Sequence, residues 1–205
     1  MRVARPVGIA LSRLWADFER IGPELPAGPL VLAANHYSHV DPVVVSFGAG
    51  RPVRFLAVDE LFGRSTIFDR LTLWLGAIPM SRTKAPLGAL RVALAELAAG
   101  GTVGLFPEGL RVWAWGEVEP KRGAAWLARR AGVPLVPMAI VGTDLVLGRG
   151  VRRLSRNPVT VVACEPIQPG DYPPGGDPAG AMTREWEKRI DGALRSAAEL
   201  RNSGG

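Results

Sequence analysis

Histidine and cysteine are nearly absent from this sequence. Its 205 residues include two histidines, His36 and His39, and one cysteine, Cys164. A lone cysteine excludes an internal disulfide and fits a reducing compartment. His36, His39 and Asp41 do have the spacing H-x2-H-x-D. A catalytic zinc, however, wants three protein ligands whose own outer hydrogen bonds are satisfied, and the chain has no further histidine to offer. No metal is expected, and His39 reads as a loop residue. Long apolar runs are missing too. LTLWLGAIPM (71–80) and VPLVPMAIVG (133–142) fall well short of the roughly 18 residues that span a bilayer. Arg2, Arg5 and Arg13 precede no long apolar stretch or small-residue cleavage site, so no signal peptide is expected. G-x-S-x-G, a P-loop and G-x-G-x-x-G are all absent, which removes the usual support for a serine hydrolase or a nucleotide-binding fold. There are no internal repeats.

What is present fits a globular α/β chain. Apolar residues make up 47% of the sequence, enough for one domain with a real core. The formal charge is +6 and the pI about 10.4, so the surface suits anionic partners such as nucleic acid, an anionic membrane face or phosphorylated small molecules.

Local patterns alternate between strand and helix. Val7, Leu11, Leu14, Trp15, Phe18 and Ile21 recur at steps of three and four, which predicts an amphipathic helix over residues 6–21. It either packs on the core or lies in a headgroup layer. LVLAA (30–34), VRFLAV (53–58), GAIPM (76–80), TVGLFP (102–107), LVPMAIVG (135–142) and VTVVACEPI (159–167) read as strands. Helical stretches are expected at 66–75, 85–99, 121–131 and from Thr183 to Leu200, with Trp186, Ile190 and Leu194 on one face of the last. PVVVSFGA (42–49) opens with a proline suited to a first helical turn but carries a β-branched run. QPGDYPPGGDPAG (168–180) reads as loop, and RNSGG as a frayed end. This order predicts one α/β domain with a mostly parallel mixed sheet flanked by helices. Its expected parts are the amphipathic helix (1–24), a catalytic region (25–170), and a loop with a C-terminal helix (171–205).

The stretch ANHYSHVDP (34–42) follows the strand LVLAA. Asp41 before Pro42 is a good helix start, so the carboxylate is either an N-cap or something more. If the helix begins at Asp41, His36 lies in the turn before it and can fold back onto that carboxylate. A carboxylate on one imidazole nitrogen fixes the tautomer and leaves the other as a base. The end of a strand feeding a helix is also where α/β folds place ligands.

NHYSHVDP resembles the N-H-x4-D block of the glycerolipid acyltransferases, the family of the bacterial 1-acyl-glycerol-3-phosphate acyltransferases. GAIPMSR (76–82), FPEGLR (106–111) and VPLVPMAI (133–140) resemble that family's second, third and fourth blocks, in order, and KRGAAWLA (121–128) resembles the helix after the third. The resemblance implies acyl transfer from acyl-CoA or an acyl-carrier protein to a hydroxyl of a glycerol-phosphate acceptor such as lysophosphatidic acid, with no cofactor. His36 would be the general base and Asp41 its orienting partner. Arg82, Glu108, Gly109 and Arg111 would bind the acceptor's phosphate-bearing head. Glu108 cannot itself hold a phosphate, so it either bonds an acceptor hydroxyl or holds an arginine.

Two positions depart from the family pattern. Leu110 stands in place of the usual threonine, and Val58 where many members carry lysine. Both bear on acceptor identity, which leaves another lysolipid or glycolipid alcohol as the alternative acceptor. A non-catalytic membrane-binding module would have no evident use for His36, Asp41 and Glu108 together. Trp113 and Trp115 fit an acyl channel, a membrane interface or the core. Arg149, Arg152, Arg153 and Arg156 form a basic cluster with no nucleic-acid reader motif and no interleaved aromatics. Anionic lipid or CoA phosphates account for them better than nucleic acid. The expected location is the cytoplasmic face of the cell membrane, peripheral or monotopic.

Overall fold

The computed structural model describes residues 17–58, 77–80, 87–151, 153 and 155–203. These residues form a seven-stranded sheet in the order β1-β7-β6-β2-β5-β3-β4. The strands are β1 Phe18–Ile21, β2 Leu30–Ala34, β3 Arg54–Val58, β4 Ile78–Met80, β5 Thr102–Leu105, β6 Leu135–Val141 and β7 Val159–Ala163. All neighbours run parallel except β6 and β7. The expected mixed, mostly parallel sheet is therefore observed. β2 lies between β5 and β6, and all five of its residues are buried. That is why LVLAA is an unbroken apolar run: a strand covered on both faces has no solvent side to mark.

Helices cover both faces. The main helices are α1 Asp41–Ala49, α2 Leu87–Ala98, α3 Gly123–Ala131, the short α4 Thr143–Leu147 and α5 Pro178–Ser203. Val31 and Ala33 point into a core with Ala93 of α2, Leu127 of α3 and Trp186 of α5. Leu30, Leu32 and Ala34 point the other way, onto Val44 and Val45 of α1. The side-chain alternation of one strand thus sorts the two cores. The indole of Trp186 donates to the Ala33 carbonyl at 2.9 Å, tying α5 to the central strand.

The structure corrects three expectations. Phe18–Ile21 is a strand, not the end of a helix, and it pairs with Val159–Val162 at the sheet edge. Its four residues carry the right spacing for a helix by coincidence, and the ladder to a distant strand overrides it. The remainder of the N-terminal helical reading, and the helix at 66–75, lie outside the described residues. The C-terminal helix begins at Pro178, inside the presumed loop, because Asp177 accepts the Gly180 N–H at 3.0 Å and caps it. It also runs on to Ser203, through residues expected to fray.

Candidate active site

β2 ends at Ala34, and the next residue extends its pairing by a side chain. Buried Asn35 donates from Nδ2 to the Ile140 carbonyl at 2.9 Å and accepts the Ile140 N–H on Oδ1 at 2.7 Å. One amide thereby replaces a backbone rung just where the chain leaves the sheet, and this anchors the start of the loop. Sequence reading had passed over Asn35.

The loop then wraps around a single carboxylate. Asp41 is fully buried, and its Oδ2 accepts from the Tyr37 N–H at 2.7 Å, the Ser38 N–H at 2.7 Å and His36 Nδ1 at 2.8 Å. Of the two readings of Asp41, the N-cap is not the one observed. The N-cap is Val40, no side chain caps α1, and Asp41 sits in the first turn with its carboxylate turned back to the preceding loop. Pro42 fits the first turn as expected, and Gly50 closes the helix at φ 62°, in the left-handed region that favours glycine. Two backbone donors and an imidazole thus converge on one oxygen.

His36 is held on its other faces as well. Its ring stacks on Phe106 at 4.0 Å and 14°, and Phe106 stacks in turn on Phe55. Its carbonyl accepts the Val112 N–H at 2.9 Å. The side chain is only 16% exposed. With Nδ1 engaged by Asp41, Nε2 is the nitrogen left for a substrate. A base fixed in tautomer and orientation by a buried carboxylate can remove a proton from a hydroxyl.

FPEGLR sits beside this pair. Phe106 reaches the imidazole, and the turn closes by the Gly109 N–H donating to the Phe106 carbonyl at 2.9 Å. Gly109 has φ +70°, which a side chain would strain. Glu108 is buried, and neither carboxylate oxygen makes a hydrogen bond of normal geometry. Burial pushes its carboxyl up to about 8, and the Asp41 charge adds to this; nearby N–H groups of His36 and Glu108 itself offset only part. Glu108 is thus mostly protonated at neutral pH, able to donate a hydrogen bond. Burial, with the Glu108 charge second, also pushes the Tyr37 phenol up to about 12. Arg111 is half-buried on the same loop, and Arg82 lies outside the described residues. The fold therefore gathers His36, Asp41 and Glu108, with Gly109 and Arg111 on the same loop as Glu108.

The two loop tryptophans take different roles. Trp115 is half-buried and meets Trp186 edge-on at 5.6 Å, so it belongs to the core. Trp113 is 64% exposed, with the Arg149 guanidinium 4.8 Å from its ring centroid. Both line a cleft of about 430 Å³ with Tyr37, Ile140 and Leu194. In the basic cluster Arg149 faces Glu117 at 3.6 Å and Arg156 pairs with Asp17 at 2.8 Å; Arg152 lies outside the described residues. Among the described residues no three His, Cys, Asp or Glu side chains converge to hold a metal ion, and no helix is long and apolar enough to cross a membrane.

The chain is similar to known proteins. A 1-acyl-sn-glycerol-3-phosphate acyltransferase of Bacillus subtilis is 29% identical over 165 residues, 78% of each chain. The chloroplastic 1-acyl-sn-glycerol-3-phosphate acyltransferase LPAT1 of Arabidopsis thaliana is 27% identical over 194 residues, covering 88% of this chain and 52% of its own. The chain thus spans about half the length of that plant relative. The crystal structure of the 1-acyl-sn-glycerophosphate acyltransferase PlsC from Thermotoga maritima shares the fold, with a TM-score of 0.75 over 96% of this chain and 78% of that one at 24% identity. The family described as Acyltransferase matches residues 19–141, from β1 to the end of β6, so the chain belongs to the acyltransferase family.

Proposed function

We propose that this acyltransferase moves a fatty acyl group from a thioester donor, acyl-CoA or an acyl-carrier protein, to the free hydroxyl of lysophosphatidic acid, yielding phosphatidic acid. The observation that carries the reading is the 2.8 Å contact between His36 Nδ1 and the buried Asp41 carboxylate. Three relatives' names describe this acceptor class, two from sequence and one from structure.

The steps follow from the residues. His36 Nε2 takes the proton of the acceptor hydroxyl as its oxygen attacks the thioester carbonyl. Asp41 stabilises the imidazolium that results. The tetrahedral oxyanion collapses, the C–S bond breaks, and the imidazolium returns its proton to the departing thiolate. No acyl-enzyme forms. Protonated Glu108 donates a hydrogen bond to an acceptor oxygen. Arg111, on the turn made by Gly109, holds the phosphate, and Arg82 joins it. A guanidinium fork suits phosphate oxygens.

The protein works at the cytoplasmic face of the cell membrane, bound peripherally. Its +6 charge and the exposed Trp113 beside Arg149 support an anionic surface as the partner. A second acceptor, another lysolipid or glycolipid alcohol, is favoured by Leu110 and Val58, which remove a hydroxyl and a cation from the family pattern. The deciding experiment is a panel of lysophosphatidic acid, other lysolipids and neutral alcohols, each with radiolabelled palmitoyl-CoA or palmitoyl-carrier protein. Turnover on lysophosphatidic acid at least ten times that on any other acceptor supports the reading, and a preference for a neutral alcohol refutes it.

A further inference from the structure

We infer that Lys121 is a further phosphate ligand of the acceptor site, set over Gly109 on the loop that also carries Arg111. The inference rests on the acceptor reading above. Lys121 lies in the segment before α3, and its main chain is fixed to the FPEGLR turn: its N–H donates to the Pro107 carbonyl at 2.8 Å. Its side chain then doubles back over the turn. A Cβ on Gly109 would sit 2.7 Å from Lys121 Nζ and 3.1 Å from its Cε. The ammonium thus occupies the space that a side chain at position 109 would fill. Glycine is favoured here by φ +70°, and the lysine end lies where its absent side chain would be.

Among the described residues the Lys121 charge has no counter-ion: Lys121 is exposed and no carboxylate pairs with it, whereas its neighbour Arg122 has Asp177 at 2.7 Å. Glu117 is engaged elsewhere, by Arg149 and by the Trp113 N–H. Glu108, adjacent to Gly109, is held mostly neutral by burial and does not cancel the ammonium. An ammonium on a flexible stem ordinarily extends into water, where it is best hydrated. Here it is folded back onto a glycine three residues from Phe106, whose ring stacks on His36. Arg111 follows Gly109 by two residues. A phosphate monoester carries close to two negative charges at neutral pH, and the Lys121 ammonium beside this turn supplies a cation to match part of that charge.

The test uses Lys121→Met, which keeps the stem and removes the charge, and Lys121→Arg, which restores it. Acceptor KM is measured for lysophosphatidic acid and for the monoacylglycerol of the same chain length, and donor KM for palmitoyl-CoA. Lys121→Met should raise the lysophosphatidic acid KM about five- to tenfold, since a charged hydrogen bond is lost. The monoacylglycerol and palmitoyl-CoA KM values should stay within twofold of wild type, and Lys121→Arg should recover most of the loss. An unchanged lysophosphatidic acid KM in folded Lys121→Met overturns the inference while leaving the acceptor reading intact. A rise confined to palmitoyl-CoA also overturns it, and assigns the ammonium to the donor. Wild-type enzyme inactive on lysophosphatidic acid refutes the acceptor reading itself, and the inference with it.

Discussion

Asp41→Asn separates the charge of the carboxylate from its shape. Oδ2 accepts three hydrogen bonds, from Tyr37 N, Ser38 N and His36 Nδ1, at 2.7, 2.7 and 2.8 Å. An asparagine can keep all three only with its carbonyl oxygen in that place. Its NH2 then takes the position of Oδ1, which is buried and without a partner. Bonds to a neutral acceptor are weaker than those to a carboxylate by about 1 kcal/mol each, and a buried unmatched NH2 costs about 1–3 kcal/mol. Relief of the carboxylate's desolvation offsets part of that. The net loss should be about 1–3 kcal/mol, lowering Tm by roughly 2–10 °C. The fold survives at assay temperature. Activity should fall much further. An imidazolium and a carboxylate with charge centres about 4 Å apart attract by about 4 kcal/mol at an effective dielectric near 20. Losing that in the transition state costs kcat roughly 10³-fold. Initial rates of radiolabelled acyl transfer measure it, with circular dichroism confirming the fold. His36→Ala provides the ceiling, with a loss at least as large. Because the two residues act as one unit, the double variant should be no worse than His36→Ala by more than a few-fold. A folded Asp41→Asn enzyme within about fivefold of wild-type kcat would refute the assignment of Asp41 to catalysis.

Three further outcomes can be checked. Arg111→Ala should raise the acceptor KM about ten- to hundredfold and leave the acyl-CoA KM unchanged; the reverse pattern in steady-state kinetics would move this arginine to the donor. Because the folded carboxyl of Glu108 lies near 8, above its ordinary 4.5, the folded state retains a proton that the unfolded chain releases. Stability should therefore decline as pH rises from about 4.5 through about 8, and Glu108→Gln should flatten that decline in denaturant titrations at several pH values; equal slopes would count against the buried acid. Trp186→Phe removes the indole's hydrogen bond to the Ala33 carbonyl and leaves a small void, so calorimetry should record a loss of about 2–4 kcal/mol with kcat of the folded enzyme little changed.

The sequence by itself determined the sheet's central strands and the order of the site segments. LVLAA was legible as a strand because burial on both faces removes every polar residue from it. His36 and Asp41 could be singled out from residue type and spacing, whereas Glu108, Gly109 and Arg111 were singled out through the resemblance of FPEGLR to an acyltransferase block. The N-terminal end was misread since Phe18 and Ile21 fit a helical step, and only pairing with Val159–Val162 makes that segment a strand. Partners 141 residues apart leave no trace in local spacing. The same limit hid the anchor between Asn35 and Ile140, and the fold-back of Lys121 onto Gly109. Asp41 shows the distinction within one residue. Its place before a proline announced a helix start, but a carboxylate there can turn toward either its own helix or the loop behind it. The tertiary structure decided that: Asn35 pinned to β6, and the His36 carbonyl held by Val112, curl the loop so that two N–H groups and an imidazole close on one oxygen.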